Sequence, residues 1–229
     1  MRSRSVRRRA AGVLCLALLS VRVSAAAGLL DRGFEGVGAD PNDVSTASTP
    51  GMAGAWAGWN NWVDPYGAYY TNDVAHSGSQ AGKTFSGPNG GIYQSVDVSG
   101  SAGAPFDLSA WFLNRGNDAM NGAQTADVRV TFYDAPNGTG NALGLVISTP
   151  LTAAAPTDVW TQEAASGTVP AGASSATVMA FFNNPEFAGG AMYVDDASFT
   201  VGPVPEPAAA TATAAGAAMI VLGRRRPRA

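Results

Sequence analysis

Between positions 29 and 201 apolar side chains recur at every second residue, broken by clusters of Gly, Pro, Asn and Asp, and the 3.6-residue helical period is hard to find. The alternation predicts strands over 92–98, 106–113, 127–133, 143–148, 159–164, 176–182 and 192–201. Turn chemistry separates them, notably Pro88-Asn89-Gly90-Gly91 and Pro136-Asn137-Gly138. Asn137-Gly138-Thr139 also has the form of a glycosylation sequon, but between two alternating runs it reads as a hairpin turn.

Because successive strand residues point to opposite sides, the pattern also assigns faces. Phe106, Leu108, Ala110 and Phe112 share one side, with Asp107, Ser109 and Trp111 on the other; Val128, Val130 and Phe132 oppose Asp127, Arg129, Thr131 and Tyr133. One apolar and one mixed face per strand predicts an all-β domain, an antiparallel β-sandwich of the jelly-roll kind.

The two ends do not follow this pattern. An Arg-rich start to Arg9, an apolar run over 10–19 and small residues around Ala25 and Ala27 read as a signal peptide over 1–27. At the other end Pro205-Glu206-Pro207 precedes an apolar stretch over 208–223 that is closed by Arg224-Arg225-Arg226. These three ordered parts resemble the PEP-CTERM sorting signal. The resemblance implies a short transmembrane sorting helix in a tail over 204–229, recognised by an exosortase-type enzyme in bacteria that make extracellular polysaccharide. The Arg cluster would stay on the cytoplasmic side, leaving the β-domain, 28–203, outside the inner membrane. The apolar stretch is short and Ala-rich, which suits a segment that is processed rather than a permanent anchor.

Charge narrows the partners. All Asp and Glu except Glu206 fall between 28 and 203, sixteen against the four basic residues Arg32, Lys83, Arg115 and Arg129. So acidic a body repels phosphate backbones and argues against nucleic acid. The single cysteine, Cys15, leaves with the signal peptide, and the single histidine, His76, rules out a His-rich zinc site. His76 reads as a loop residue, and no nucleophile motif surrounds Ser77.

The order of short motifs through the central domain is also informative: Gly33-Phe34-Glu35-Gly36, a Trp-rich segment, Ala75-His76-Ser77-Gly78-Ser79, Tyr93-Gln94-Ser95-Val96, the strand around Trp111, and Met192-Tyr193-Val194-Asp195-Asp196-Ala197-Ser198-Phe199. This series resembles the galactose-binding-like β-jelly-roll domains that include many carbohydrate-binding modules. In such domains the first and last strands lie close and share a structural Ca²⁺, so the resemblance implies Glu35, Asp195 and Asp196 as calcium ligands. Strand parity groups Asp195 with Tyr193, Ala197 and Phe199, and a buried carboxylate there needs a partner, which favours it over Asp196.

Two aromatic groups are candidates for stacking on sugar rings. Trp56, Trp59 and Trp62, with Tyr66, Tyr69 and Tyr70, crowd a Gly-rich stretch that is not clearly a strand; the competing role is to plug the end of the sandwich. Trp111 and Tyr133, with Arg129 and Asn183, sit on strand faces opposite the expected core, where the competing role is ordinary surface. The expected protein is therefore an exported, non-enzymatic surface or matrix protein. Its expected partners are signal peptidase, an exosortase-type enzyme, the membrane through its tail, and extracellular polysaccharide. A structural or adhesive matrix protein without sugar specificity is the alternative; a glycoside hydrolase using a carboxylate pair is a second, although no spacing singles out such a pair.

Overall fold

The structure is a computed structural model; it describes residues 28–35, 57–60, 68–85 and 89–204, with the backbone alone for 57–60, 68–70 and 85. Two antiparallel sheets account for the domain. Eleven strands run in chain order as β1 (Ala57–Asn60), β2 (Ala68–Thr71), β3 (Ala81–Phe85), β4 (Asn89–Asp97), β5 (Pro105–Leu113), β6 (Thr125–Tyr133), β7 (Ala142–Ile147), β8 (Leu151–Thr152), β9 (Trp160–Thr168), β10 (Ser175–Asn183) and β11 (Ala191–Val201). The first sheet has the order β1-β4-β10-β6-β7, with β8 beside β6; the second has the order β2-β3-β11-β5-β9. Only β2–β3 and β6–β7 join strands that follow each other in the chain. β8 returns to the free side of β6 within the same sheet, and every other neighbour is reached by crossing from one sheet to the other.

All seven strands expected from alternation are present, and the faces expected for β5 and β6 hold. Phe106, Leu108, Ala110 and Phe112 on β5 are each at most 1% exposed, as are Val128, Val130 and Phe132 on β6. Across the sandwich they form one core with Ile92, Val178, Phe182, Val194 and Phe199, in which the Phe106 ring lies 5.2 Å from Phe132 and 5.8 Å from Phe199. Truncating a ring there would cost about 3–5 kcal/mol.

Alternation missed four short strands, β1, β2, β3 and β8. The Trp-rich stretch expected to lack a clear strand contributes two of them, β1 at the edge of one sheet and β2 at the edge of the other. Edge strands of four residues expose too few faces for periodicity to register.

The N-terminal segment is tied across the sandwich. Phe34 is fully buried, Gln94 turns into the sheet and brackets Leu30 by accepting from its N–H at 2.8 Å and donating to its carbonyl at 3.2 Å, and Ala197 N–H donates to the Arg32 carbonyl at 2.9 Å. These bonds set Glu35 against the last strand. The signal-peptide and sorting-tail residues, including Pro205, Glu206, Pro207, Arg224, Arg225 and Arg226, lie outside the described residues. Among the described residues no helix is long and apolar enough to cross a membrane.

Candidate functional site

The site begins with a fault in β11. Parity groups Tyr193, Asp195, Ala197 and Phe199 together, but the pairing of β11 with β5 shifts between Asp195 and Ser198, and Asp196 takes φ 45°. Such a bulge turns the strand over. Ala197 and Phe199 enter the core, whereas Tyr193 and Asp195 face outward, Asp195 directly across from Trp111. Asp195 is nevertheless fully buried, because the loop over 72–80 folds onto it.

Three carboxylates hold that loop. Asp195 Oδ2 accepts from the N–H groups of His76 at 2.7 Å and Ser77 at 3.1 Å, while its Oδ1 accepts from Asp196 N–H at 2.7 Å. Asp196 accepts from the Ser77 hydroxyl at 2.7 Å, and its Oδ2 lies 2.7 Å from His76 Nδ1. Glu35 takes the far end of the loop, accepting from the N–H and hydroxyl of Ser79, each at 2.7 Å, and from Gln80 N–H at 3.0 Å. Gly78 has φ +62°, and a Cβ there would lie 2.1 Å from Glu35 Oε1, so only glycine lets the loop meet this carboxylate.

Burial pushes the Asp195 carboxyl above the usual carboxylate range against the pull of its three N–H donors, and the hydrogen bonds from Ser79 hold Glu35 below it. Glu35, Asp195 and Asp196 are thus brought together, as expected, around one loop. Their hard oxygens are of the kind Ca²⁺ takes, and His76 is their one ion-pair partner among the described residues. Every carboxylate oxygen already accepts from the protein, however, and among the described residues no group of three or more acidic, His or Cys side chains is arranged to hold a metal ion.

Above the clamp lies an aromatic stack. The His76 imidazole lies parallel on Trp111, centroids 4.2 Å apart and planes 16° apart, and meets Trp160 edge-on at 5.4 Å and 67°. One face of Trp111 is therefore covered, not bare as a lone platform would be. Trp160, on β9 one rung from Trp111, completes the group; both indoles are half-buried. Beyond them Leu113, Ala191 and Tyr193 form a small second cluster with Val74 and Trp160 against it. Lys83 Nζ lies 5.0 Å and the Arg115 guanidinium 5.7 Å from the Tyr193 ring centroid. Asp118 pairs with Lys83 at 2.8 Å, and Asp73 lies 3.6 Å from Arg115.

On the other side of the stack the same sheet face sinks into a furrow of about 390 Å³. Its floor is made of small or hydroxylated residues, Ser109 on β5, Ser198 on β11 and Ala164 on β9, with Asp107 and Ser166 at one end and Gln162 at the other. Gln162 pairs directly with Trp111, so furrow and stack are continuous. From Asp107 to Leu113 the face runs about 20 Å, long enough for an oligosaccharide. Asp107 is the single carboxylate among the described residues lining the furrow.

Tyr133, grouped with Trp111 by alternation, lies on the outer face of the other sheet, with Ser175, Thr177 and Met179. Arg129 is on that face too, its guanidinium 3.4 Å from the Phe181 ring centroid and paired with the buried Asp127 at 2.6 Å. Asn183 ends β10 there. The two aromatic candidates are separated by the whole thickness of the sandwich. Trp59 falls on β1, opposite Gly91, with only its backbone described; Trp56 and Trp62 lie outside the described residues. Sequence reasoning missed the roles of Trp160, Gln162 and Ser198, whose only signal was their polar-side parity on strands beside β5.

No protein-family model matches the chain, and no curated protein matches it. Solved structures do. A xylanase of Clostridium thermocellum, with carbohydrate-binding and catalytic modules and bound xylohexaose, matches at 17% identity and TM-score 0.47 over 67% of this chain and 27% of that one. A carbohydrate-binding module in complex with β-1,4-galactotriose matches at 15% identity and TM-score 0.44 over 73% and 93%. A Stig cyclase of Fischerella sp. TAU matches at 13% identity and TM-score 0.49 over 79% and 100%. The chain spans little more than a quarter of the xylanase's length.

Proposed function

We propose that the protein is an exported, non-catalytic surface protein whose sandwich binds a carbohydrate chain along the outer face of the β2-β3-β11-β5-β9 sheet. The observation that carries this reading is the continuous path from the hydroxyl-lined furrow at Ser109 and Ser198 to the Trp111–His76–Trp160 stack. Polar groups on a shallow floor can exchange hydrogen bonds with sugar hydroxyls, and the half-buried indoles offer edges and faces to sugar C–H groups. Among the described residues of the furrow a single carboxylate argues for binding over glycoside hydrolysis, which ordinarily needs two flanking the scissile bond.

Export and sorting rest on the sequence: the signal-peptide pattern over 1–27 and the Pro205-Glu206-Pro207 to Arg226 tail call for signal peptidase, an exosortase-type enzyme and transient membrane anchoring, with the acidic domain delivered to the envelope or beyond it. Calcium at the Glu35, Asp195 and Asp196 cluster would have to displace loop donors that these oxygens now accept from, in return for neutralising carboxylates that have His76 alone as an ion-pair partner among the described residues.

A glycan array probed with the protein and with its Trp111→Ala and Gln162→Ala variants tests the binding reading. Retention of neutral glycans that weakens in both variants supports it. Uniform silence across the array favours the alternative of a structural or adhesive matrix protein without sugar specificity.

A further inference from the structure

The opposite side of the sandwich carries a second depression of about 340 Å³, on the outer face of the β1-β4-β10-β6-β7 sheet. Its lining includes Tyr93 and Ser95 from β4, Thr177 and Met179 from β10, Tyr133 from β6 and Asn137 from the turn after β6. Cross-strand register explains the order: Tyr93 faces Met179 on one rung and Ser95 faces Thr177 on the next, with the two hydroxyls 2.9 Å apart. The result is a hydroxyl floor between two half-buried tyrosines, with no charged group among the described residues of the lining.

One wall is built with care. The turn Pro136–Gly138 lies down on the sheet, pinned where Gly138 N–H donates to Ser175 Oγ at 2.9 Å and the Ser175 hydroxyl donates to the Ala135 carbonyl at 2.6 Å. Gly138 has φ +69°, and a Cβ there would come within 2.4 Å of Thr177 Oγ1 and 2.9 Å of Ser95 Oγ. Asn137, at φ 58°, is part of the lining, and its side-chain amide makes no hydrogen bond to another described residue. The amide and the two phenols are thus donors and acceptors within the lining that no other described residue satisfies.

We propose that this depression is a second, independent site for a neutral carbohydrate, so that one domain holds two chains on opposite faces and cross-links them. The proposal rests on the carbohydrate reading of the first furrow for its ligand class, but not for its residues. An uncharged lining in a strongly acidic body favours a neutral ligand, and aromatic rings flanking hydroxyl and amide groups match a sugar's alternating C–H and O–H faces. A protein partner is the less fitting occupant, because the floor is hydroxyl rather than apolar.

The test uses the whole protein, titrated with xylohexaose, β-1,4-galactotriose and cellohexaose and mixed with beads coated with xylan, galactan or cellulose. Two sites per chain and bead agglutination are expected. Thr177→Trp, which fills the second depression, and separately Tyr133→Ala should leave one site and abolish agglutination, while Ser166→Trp should do the same from the first furrow. The site retained in each variant shows that it folds. One site that only Ser166→Trp removes overturns this proposal and leaves the first furrow standing. One site that only Thr177→Trp removes upholds this depression and overturns the first furrow. No binding to any of these probes overturns both. A dimer that Thr177→Trp dissociates, without any change in sugar stoichiometry, assigns the face to a second copy of the chain and overturns the proposal.

Discussion

The imidazole of His76 lies flat on the indole of Trp111, 4.2 Å between centroids, while its Nδ1 sits 2.7 Å from Asp196 Oδ2. One loop residue therefore couples the carboxylate clamp to the aromatic end of the furrow. His76→Ala removes a stacked pair and a charge-assisted contact at the surface, so a loss of about 1 kcal/mol in urea unfolding is expected. The exposed Trp111 should shift tryptophan emission to the red. Unchanged emission would mean that the stack does not form in solution.

Asp195 is the keystone of the clamp, since its two oxygens receive the N–H groups of His76, Ser77 and Asp196. Asp195→Ala strands all three donors, and a loss of about 3 kcal/mol is expected. Amide exchange over 76–80 should rise in the variant even where the rest of the sandwich stays protected.

Calcium at the clamp would stabilise the folded state by mass action, about 2.7 kcal/mol at a hundred times its dissociation constant. A melting temperature that rises by several degrees with CaCl₂ and returns with EDTA is the expected result. No shift would leave the loop held by hydrogen bonds alone.

Burial on the edge strand β9, with Asp127 nearby, pushes the Glu163 carboxyl above its ordinary value, despite a hydrogen bond from Ser148. A raised carboxyl favours the folded state when protonated, and that contribution is lost as pH rises through the raised folded-state value. Glu163→Gln should therefore match the parent below about pH 4 and become progressively more stable than it toward neutral pH. Parallel unfolding midpoints across that range would contradict this. In the opposite direction, Glu35, Asp97 and Asp134 are held low by hydrogen bonds from Ser79, Ser99 and Asn141, so their contribution disappears as pH falls below the carboxylate range.

Asp127 is 2% exposed and bound by Arg129, which also lies over Phe181. Arg129→Ala leaves that carboxylate buried and unpaired, at a cost of about 3 kcal/mol. The Asp127→Asn/Arg129→Ala double variant should recover part of the loss, and a double-variant cycle that is fully additive would show that the pair is not coupled.

Much of the fold was legible along the chain. Alternation is a local property, so 106–113 and 127–133 showed both their strands and their buried sides, and the carboxylates of the first and last segments could be matched through a family resemblance. The bulge at Asp196 was not legible: a single residue with positive φ reverses the parity of everything before it, and no residue type announces that. Nor was the covering of Trp111, which depends on a loop that three distant carboxylates pull into place.

By itself the sequence determined which segments extend and which of their sides shun water, because a period of two residues needs no knowledge of the neighbouring strand. Tertiary structure alone decided that Trp111 and Tyr133 point away from each other. Most strands pair with one distant in the chain, so the sheet such a strand joins is settled by which apolar faces close on each other across the core.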